Sequence, residues 1–347
     1  MLQSIKFTNF KVLKDATLPL SPFTLIVGAN GSGKSTALQG LTAMQSPGIV
    51  QGSIDKFLSA GMPPQSEVAI VVEAILQSPL TVTMKWPLKV RQKLEVVFHP
   101  LVSPIQQQQD ATSLSNDLQR LQIYALEPEV IARTTTLLPN VQLASNGGNL
   151  AGVLDNLRDS EPEKFESLNQ ELNRWFPEFD RILFETPGQG IRAFLLRTKQ
   201  GHYRVPAPQL SQGTLLALVI LTLCYIPHPP TILGIEEPDR GVHPRLLREV
   251  QDALYRLSYP QMFGDSRPPI QVIATTHSPY FLDLFRDHPE EVVIAQKEGL
   301  TARFERLSER KDIEDILGHA SLGDVWYTGI LGGVPSETSN LERISRR

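Results

Sequence analysis

Hydrophobic and polar positions follow three regimes along the chain. Up to about residue 100 the pattern is strand-like. Ile5–Phe10 and Ala16–Leu20 alternate, and Phe23–Val27 is a short unbroken apolar run. Val68–Ile75 and Leu80–Trp86 read as strands separated by Gln77-Ser78-Pro79, and Val90–Phe98 reads as a further one. Together these predict an antiparallel sheet beside a buried strand. Pro100–Thr112, which carries Gln106 to Gln109, reads as a loop. From Ser113 to Phe179 the period becomes helical. Leu150, Val153, Leu154 and Leu157 share one face, as do Phe165, Leu168, Leu172, Trp175 and Phe176, with the aromatic pair as helix core. Ile182–Phe184 and Ala193–Arg197 return to strand character. Beyond Pro206 and Pro208, helices (Leu215–Ile226, Pro244–Leu257) alternate with strands (Thr231–Ile235, Ile270–Thr275), the pattern of a parallel sheet. Val292–Ala295 and Ala302–Phe304 are terminal strands, and the polar tail beyond Ser336 is expected to fray.

The apolar run Phe23–Val27 ends in Gly28-Ala29-Asn30-Gly31-Ser32-Gly33-Lys34-Ser35, and Thr36–Leu41 then begins a helix. Strand, glycine loop and helix are the context in which G-x-x-x-x-G-K-[ST] is a phosphate loop. The glycines at 28, 31 and 33 let backbone N–H groups turn toward phosphate oxygens. Lys34 reaches the β and γ phosphates, Ser35 offers its hydroxyl to Mg²⁺, and the start of the helix at Thr36 adds its positive dipole end.

Three further stretches carry chemistry. The strand Ile232-Leu233-Gly234-Ile235 ends in Glu236-Glu237-Pro238, where one acid can hold Mg²⁺ and the next can take a proton from an attacking water. We assign Glu236 to the metal and Glu237 to the general base. Leu210-Ser211-Gln212-Gly213-Thr214 precedes a buried helix, so Ser211 and the Gly213 N–H sit at a helix start that can both cap the helix and take an anion. Thr275-Thr276-His277-Ser278-Pro279 follows an apolar strand and places His277 to hydrogen-bond a γ-phosphate oxygen or orient the water.

Composition narrows the classes. The 347 residues are 41% apolar and 20% charged, as in a globular protein with a sizeable core. The net charge of −4 rules out a global basic field, so nucleic-acid contact would fall to local clusters: Lys85, Lys89, Arg91 and Lys93; Arg303, Arg306, Arg310 and Lys311; and Arg343, Arg346 and Arg347. Acids interleave with several of these, which equally describes solvated faces. Cys224 is the single cysteine and lies in an apolar run, so no internal disulfide forms and a reducing cytoplasm is expected. The first residues do not read as a signal peptide, and Leu215–Ile226, the longest apolar stretch, is too short to span a bilayer, so no membrane insertion is expected.

The order of phosphate loop, Leu-Ser-x-Gly, Glu-Glu-Pro and Thr-His-Ser-Pro resembles that of the ATP-binding-cassette (ABC) ATPases. Within them the chain looks like the RecF/SMC/OLD branch, through Ile-Lys-Phe-Thr-Asn-Phe-Lys-Val-Leu-Lys-Asp at the start, Glu-Glu-Pro-Asp-Arg-Gly-Val-His-Pro at 236–244 and Thr-Thr-His-Ser-Pro at 275–279. The strong match covers roughly 1–40 and 205–285; a weaker one runs from Asn146-Gly-Gly-Asn-Leu-Ala through Trp175-Phe-Pro. The resemblance implies an α/β P-loop NTPase of the ABC ATPase head type, with a mixed sheet, an antiparallel β subdomain and an inserted helical subdomain. We divide it into an N-terminal ATPase lobe over 1–100, an inserted mainly helical lobe over 101–200, and a C-terminal lobe over 201–347. The resemblance also implies a homodimer with two ATP molecules between subunits. Each site joins Lys34, Ser35, Glu236, Glu237 and His277 of one subunit to Ser211 and Gly213 of the other. Lys11 is the candidate for a basic residue of the first loop that approaches the nucleotide.

Several positions depart from the family pattern. Glu236 stands where Asp is usual, Thr214 ends the signature, and His243 stands where many relatives have Asp. The glutamine that contacts Mg²⁺ has several candidates, Gln77, Gln92 and Gln106 to Gln109. No heptad arm is visible. The stretch after His277 is short for the metal-dependent nuclease domain of OLD enzymes, so a separate nuclease or effector chain, working on or near DNA in repair or phage defence, is the leading expectation. The alternatives are an ATP-dependent assembly switch with slow hydrolysis and a transporter nucleotide-binding subunit, the latter opposed by the signature ending and the inserted sheet. Gly318–Asp324 with Trp326-Tyr327 forms a C-terminal apolar patch that can dock a partner or cover the sheet edge, the second being the leading expectation.

Overall fold

The computed structural model describes residues 1–46, 54–63, 66–75, 79–86, 95–98, 103–139, 141–319 and 321–332. They form two compact units, Met1–Leu121 with Ile273–Arg347, and Gln122–Val272.

The first unit contains two sheets. One is antiparallel throughout, in the order Leu13–Pro19, Leu2–Phe10, Val68–Ile75, Pro79–Trp86, Glu95–Phe98. Alternation sets its faces: Ile5 and Phe7 are fully buried while Lys6 between them is exposed. The other sheet runs in the order Thr301–Arg306, Val292–Glu298, Phe23–Val27, Gln271–Thr276. It is mixed, since Val292–Ile294 pairs parallel to Leu25–Val27 and antiparallel to the hairpin strand after it. Every residue of Phe23–Val27 and of Gln271–Thr276 is buried, as expected of strands covered on both faces. The helix Lys34–Gln45 buries Ala37, Leu38, Leu41 and Met44. Gly40 lets this helix approach the antiparallel sheet, since a Cβ there would lie 2.3 Å from the Phe7 ring.

The second unit contains the paired helices Leu150–Ser160 and Pro162–Trp175. The hairpin Phe179–Gly188 and Ile191–Thr198 follows, with Arg204–Pro206 and Thr135–Thr136 paired antiparallel to its second strand. The helix Gln212–Leu223 is buried from Gly213 onward, which explains its lack of amphipathic pattern. The strand Ile232–Glu236 and the amphipathic helix Leu247–Ser258 complete the unit.

Two local expectations change, and a third is described only in part. Residues 104–112, read as loop, instead open the helix Pro104–Gln119, which continues into the helical reading from Ser113: the Ser103 hydroxyl accepts from the Gln106 N–H at 3.3 Å, Pro104 occupies the first turn, and the glutamines are good helix formers. The helical stretch read from Ser113 to Phe179 is interrupted by Leu121–Tyr124, a short helix Pro128–Ile131 and the strand Thr135–Thr136, where prolines and the Gly147-Gly148 pair break the period. Of Val90–Phe98, Glu95–Phe98 is a strand; residues 90–94 and the tail beyond Ser336 lie outside the described residues.

Candidate functional site: a phosphate loop and a signature helix

In the first unit the buried strand Phe23–Val27 delivers the chain into Gly28. A Cβ at Gly28 would sit 2.5 Å from the Ala295 carbonyl oxygen and 2.6 Å from Ser32 Oγ, so the loop closes only around glycine. Gly31 and Gly33 take φ of +77° and +99°, in the left-handed region that other residues rarely adopt. Gly33 is the N-cap of Lys34–Gln45, and among the described residues that helix start has no side-chain cap. Lys34 is 6% exposed, and its ammonium donates to the carbonyls of Gly28 at 2.6 Å and Ala29 at 3.1 Å. Ser32 is buried and its hydroxyl has no partner among the described residues. A buried cation, an unpaired hydroxyl and a loop that side chains would fill suit a polyphosphate, and the Ser35 hydroxyl follows at the helix start. Ala29 and Thr36 are half-buried, and Asn30 is exposed at the tip.

His277 is exposed at the end of Gln271–Thr276, the strand beside Phe23–Val27. The turn that carries it is fixed by two bonds: Thr276 Oγ1 accepts from the Ser278 N–H at 3.0 Å, and Ser278 Oγ caps Pro279–Asp283 by accepting from the Phe281 N–H at 3.3 Å. Lys11 has φ of +52°. Its ammonium donates to Gln39 Oε1 at 2.6 Å and lies 5.1 Å above the Phe57 ring, against the face of the phosphate-loop helix. Among the glutamine candidates, Gln106 to Gln109 lie on the helix Pro104–Gln119, where Gln106 Nε2 donates to Asp110; Gln77 and Gln92 lie outside the described residues.

In the second unit Ile232–Ile235 is buried, and Glu236 and Glu237 are half-buried at the strand end. Glu237 takes φ of +46°, a conformation costing a non-glycine residue about 1–2 kcal/mol and held here by the turn it starts. In that turn the Arg240 N–H donates to the Glu237 carbonyl at 3.0 Å and the Val242 N–H to the Asp239 carbonyl at 3.2 Å. The Arg240 guanidinium donates to the Leu126 carbonyl. Ser211 is exposed and caps Gln212–Leu223, its Oγ accepting from the Thr214 N–H at 3.0 Å. Gly213 lies against the turn after Glu237, where a Cβ would be 2.2 Å from the Gly241 carbonyl oxygen. A cavity of about 320 Å³ opens at this helix start, lined among others by Trp175, Ser211, Gly213, His243 and Arg245. The contact of Gly213 with Gly241 and the place of Arg245 were not visible in the sequence, because both arise from packing. The Trp175-Phe-Pro stretch was the available signal: Trp175 and Phe176 are buried as helix core reading required, and they also wall the cavity.

The basic clusters are largely neutralised where they are described. Lys85 pairs with Glu67 at 3.4 Å, Arg303 with Glu298 at 2.9 Å, and Arg310 with Asp312 at 2.9 Å. Positions 89, 91, 93, 343, 346 and 347 lie outside the described residues. At the C-terminal patch, Trp326 is buried while Tyr327 is exposed, and the Gly323 N–H donates to Asp283 at 2.7 Å. Among the described residues no cluster of His, Cys, Asp and Glu forms a metal cage, and no helix is long and apolar enough to cross a membrane.

Residues 91–283 match the family described as "AAA domain, putative AbiEii toxin, Type IV TA system", and residues 1–75 match "AAA ATPase domain". The chain belongs to this AAA family. It has the P-loop ATPase fold of an SMC head, and its likeness is to ABC/AAA ATPases of the RecF/SMC/OLD type. A crystal structure of an SMC head bound to the C-terminal winged-helix domain of ScpA superposes with a TM-score of 0.59 at 16% identity, over 90% of this chain and 99% of that one. An SMC head with coiled coil and joint derived from Pyrococcus yayanosii gives 0.54 at 11%, over 91% and 99%. At such identities the likeness is one of fold. An OLD nuclease of Thermus scotoductus is 49% identical over 41 residues, which is 12% of this AAA-family chain and only 8% of the nuclease.

Proposed function

We propose that this protein binds and hydrolyses ATP in an ATP-linked homodimer in the cytoplasm and drives a separate nuclease or effector on or near DNA, in repair or phage defence. The observation that carries the reading is the phosphate loop, with Gly28 pressed on Ala295, left-handed Gly31 and Gly33, and a buried Lys34. In this reading the backbone of Gly28 to Gly33 and the Thr36 end of the helix hold the phosphates, and Lys34 exchanges its two carbonyl partners for β and γ oxygens. Bound Mg²⁺ neutralises phosphate charge. Ser35 and Glu236 position it, Glu237 takes the proton of the attacking water, and His277 orients that water. Lys11 lies against the phosphate-loop helix and needs to leave Gln39 to approach a nucleotide. Ser211 and Gly213 present a helix start to the nucleotide of a second copy.

Glu236 favours a second reading, an assembly switch with slow hydrolysis, because its extra methylene over Asp alters the reach to the metal. Steady-state phosphate release, with and without double-stranded DNA at low salt, separates the two. Turnover lost in Lys34→Ala and raised several-fold by DNA supports the first reading, and DNA affinity should then fall steeply with salt. Turnover equal in the parent and Glu237→Gln removes Glu237 as the base. Turnover indifferent to DNA moves the weight to a protein-triggered switch.

A further inference from the structure

The cavity at the signature helix holds more donors than a capped helix start requires. Ser211 and the Gly213 end of a twelve-residue helix form one wall. Arg245 forms another: its backbone N–H donates to His243 Nδ1 at 3.2 Å, while its exposed side chain has no ion pair among the described residues. An independent sign comes from Trp175, which is 3% exposed, lines the same cavity and has an Nε1 with no acceptor among the described residues. Glu178 is the one acid among the described lining residues, and it is exposed. A cation, a helix start and a buried unpaired N–H around one space call for a ligand rich in acceptors and negatively charged.

We propose that Arg245 acts in trans, closing on the terminal phosphate that a second copy carries on its own phosphate loop. This rests on the dimer reading above. A guanidinium meets two phosphate oxygens at once and keeps its charge at every working pH, which a serine hydroxyl and a helix dipole cannot supply. In hydrolysis the water oxygen bonds to the γ phosphorus, the bond to the β-bridging oxygen breaks with its electron pair leaving on ADP, and the water proton passes to Glu237. Arg245 faces the negative charge spread over the γ oxygens in that step. The terminal phosphate is thereby both the substrate and the tie between subunits.

Sedimentation velocity over an ATP titration tests this in the Glu237→Gln background, where the dimer accumulates. Adding Arg245→Ala should raise the ATP needed for half-dimerisation about tenfold or more, with Arg245→Lys in between. Binding of a fluorescent ATP analogue to dilute monomer should not change, because an Arg245 that acts in trans meets only the nucleotide of a second copy; this also reports that the variants are folded. If Arg245→Ala dimerises like its parent while Ser211→Arg blocks the dimer, the Arg245 assignment falls and the dimer reading stands. If Glu237→Gln forms no dimer with ATP at all, both fall.

Discussion

Gly213→Ala tests whether the signature helix and the turn after Glu237 form one packed unit. A methyl there would lie 2.2 Å from the Gly241 carbonyl oxygen, 3.0 Å from the Gly241 carbonyl carbon and 3.2 Å from Val242 Cα. All three are backbone atoms, so no side-chain rotation relieves them. Ordinary contact begins at 3.4 Å, so the carbonyl has to retreat by about 1 Å, against the two hydrogen bonds that fix the turn. Overpacking of this kind costs about 1–3 kcal/mol, and contact with backbone puts it near the upper end. Alanine returns at most about 1 kcal/mol through helix propensity. The net loss of about 2 kcal/mol corresponds to a fall in Tm of roughly 4–8 °C for a unit of this size. Differential scanning calorimetry reads it directly, with Gln212→Ala as the exposed neighbour expected to stay within about 0.5 kcal/mol of the parent. A Gly213→Ala protein that melts at or above the parent temperature refutes the packing argument, since propensity alone would then decide the sign.

The phosphate loop predicts that saturating ATP raises the melting temperature of the parent, by linkage worth about 2.7 kcal/mol at a hundredfold excess over Kd, and that Lys34→Ala abolishes the rise in the same thermal scan. Arg197 donates two hydrogen bonds to Asp180, at 2.9 and 2.7 Å, and this pair holds the Asp180 carboxyl below its ordinary range. Its stabilisation is complete above the unfolded pKa of about 3.9 and is lost as pH falls through the lower folded value, so Asp180→Asn should be the weaker protein in urea at pH 7 and converge with the parent once the pH falls below that lowered value. Burial pushes the Cys224 thiol up to about 12. The native protein should resist a disulfide reagent at pH 8 and react fully in guanidinium, so rapid native labelling would contradict the buried placement.

Residues whose role is local were legible in the sequence. Phe23–Val27 with Gly28 to Ser35 announces strand, loop and helix because each step obeys its own backbone chemistry, and Ser211 is a cap that its spacing to Thr214 gives away. The first half of the helix Pro104–Gln119, up to Thr112, was hidden by composition: a glutamine run carries no hydrophobic period, while Ser103 and Pro104, which start it, are equally at home in loops. Leu121–Tyr124 was absorbed into a helical reading because strand assignment depends on a neighbour that the segment itself cannot name. Arg245 and the Gly213–Gly241 approach are tertiary, joining positions that no spacing rule connects.

The unit with the phosphate loop is made from both ends of the chain, and this sets a timetable for synthesis. The parallel neighbour of Leu25–Val27 is Val292–Ile294, about 270 residues later, which at 5–20 residues per second is roughly 15–50 s after the loop leaves the ribosome. Throughout that interval the apolar strand Phe23–Val27 lacks this partner, while residues 122–272 emerge as one uninterrupted stretch able to fold first. The nascent chain therefore carries an open sheet edge through that interval, and a chain truncated before residue 292 lacks the Val292–Glu298 strand that its phosphate loop packs against.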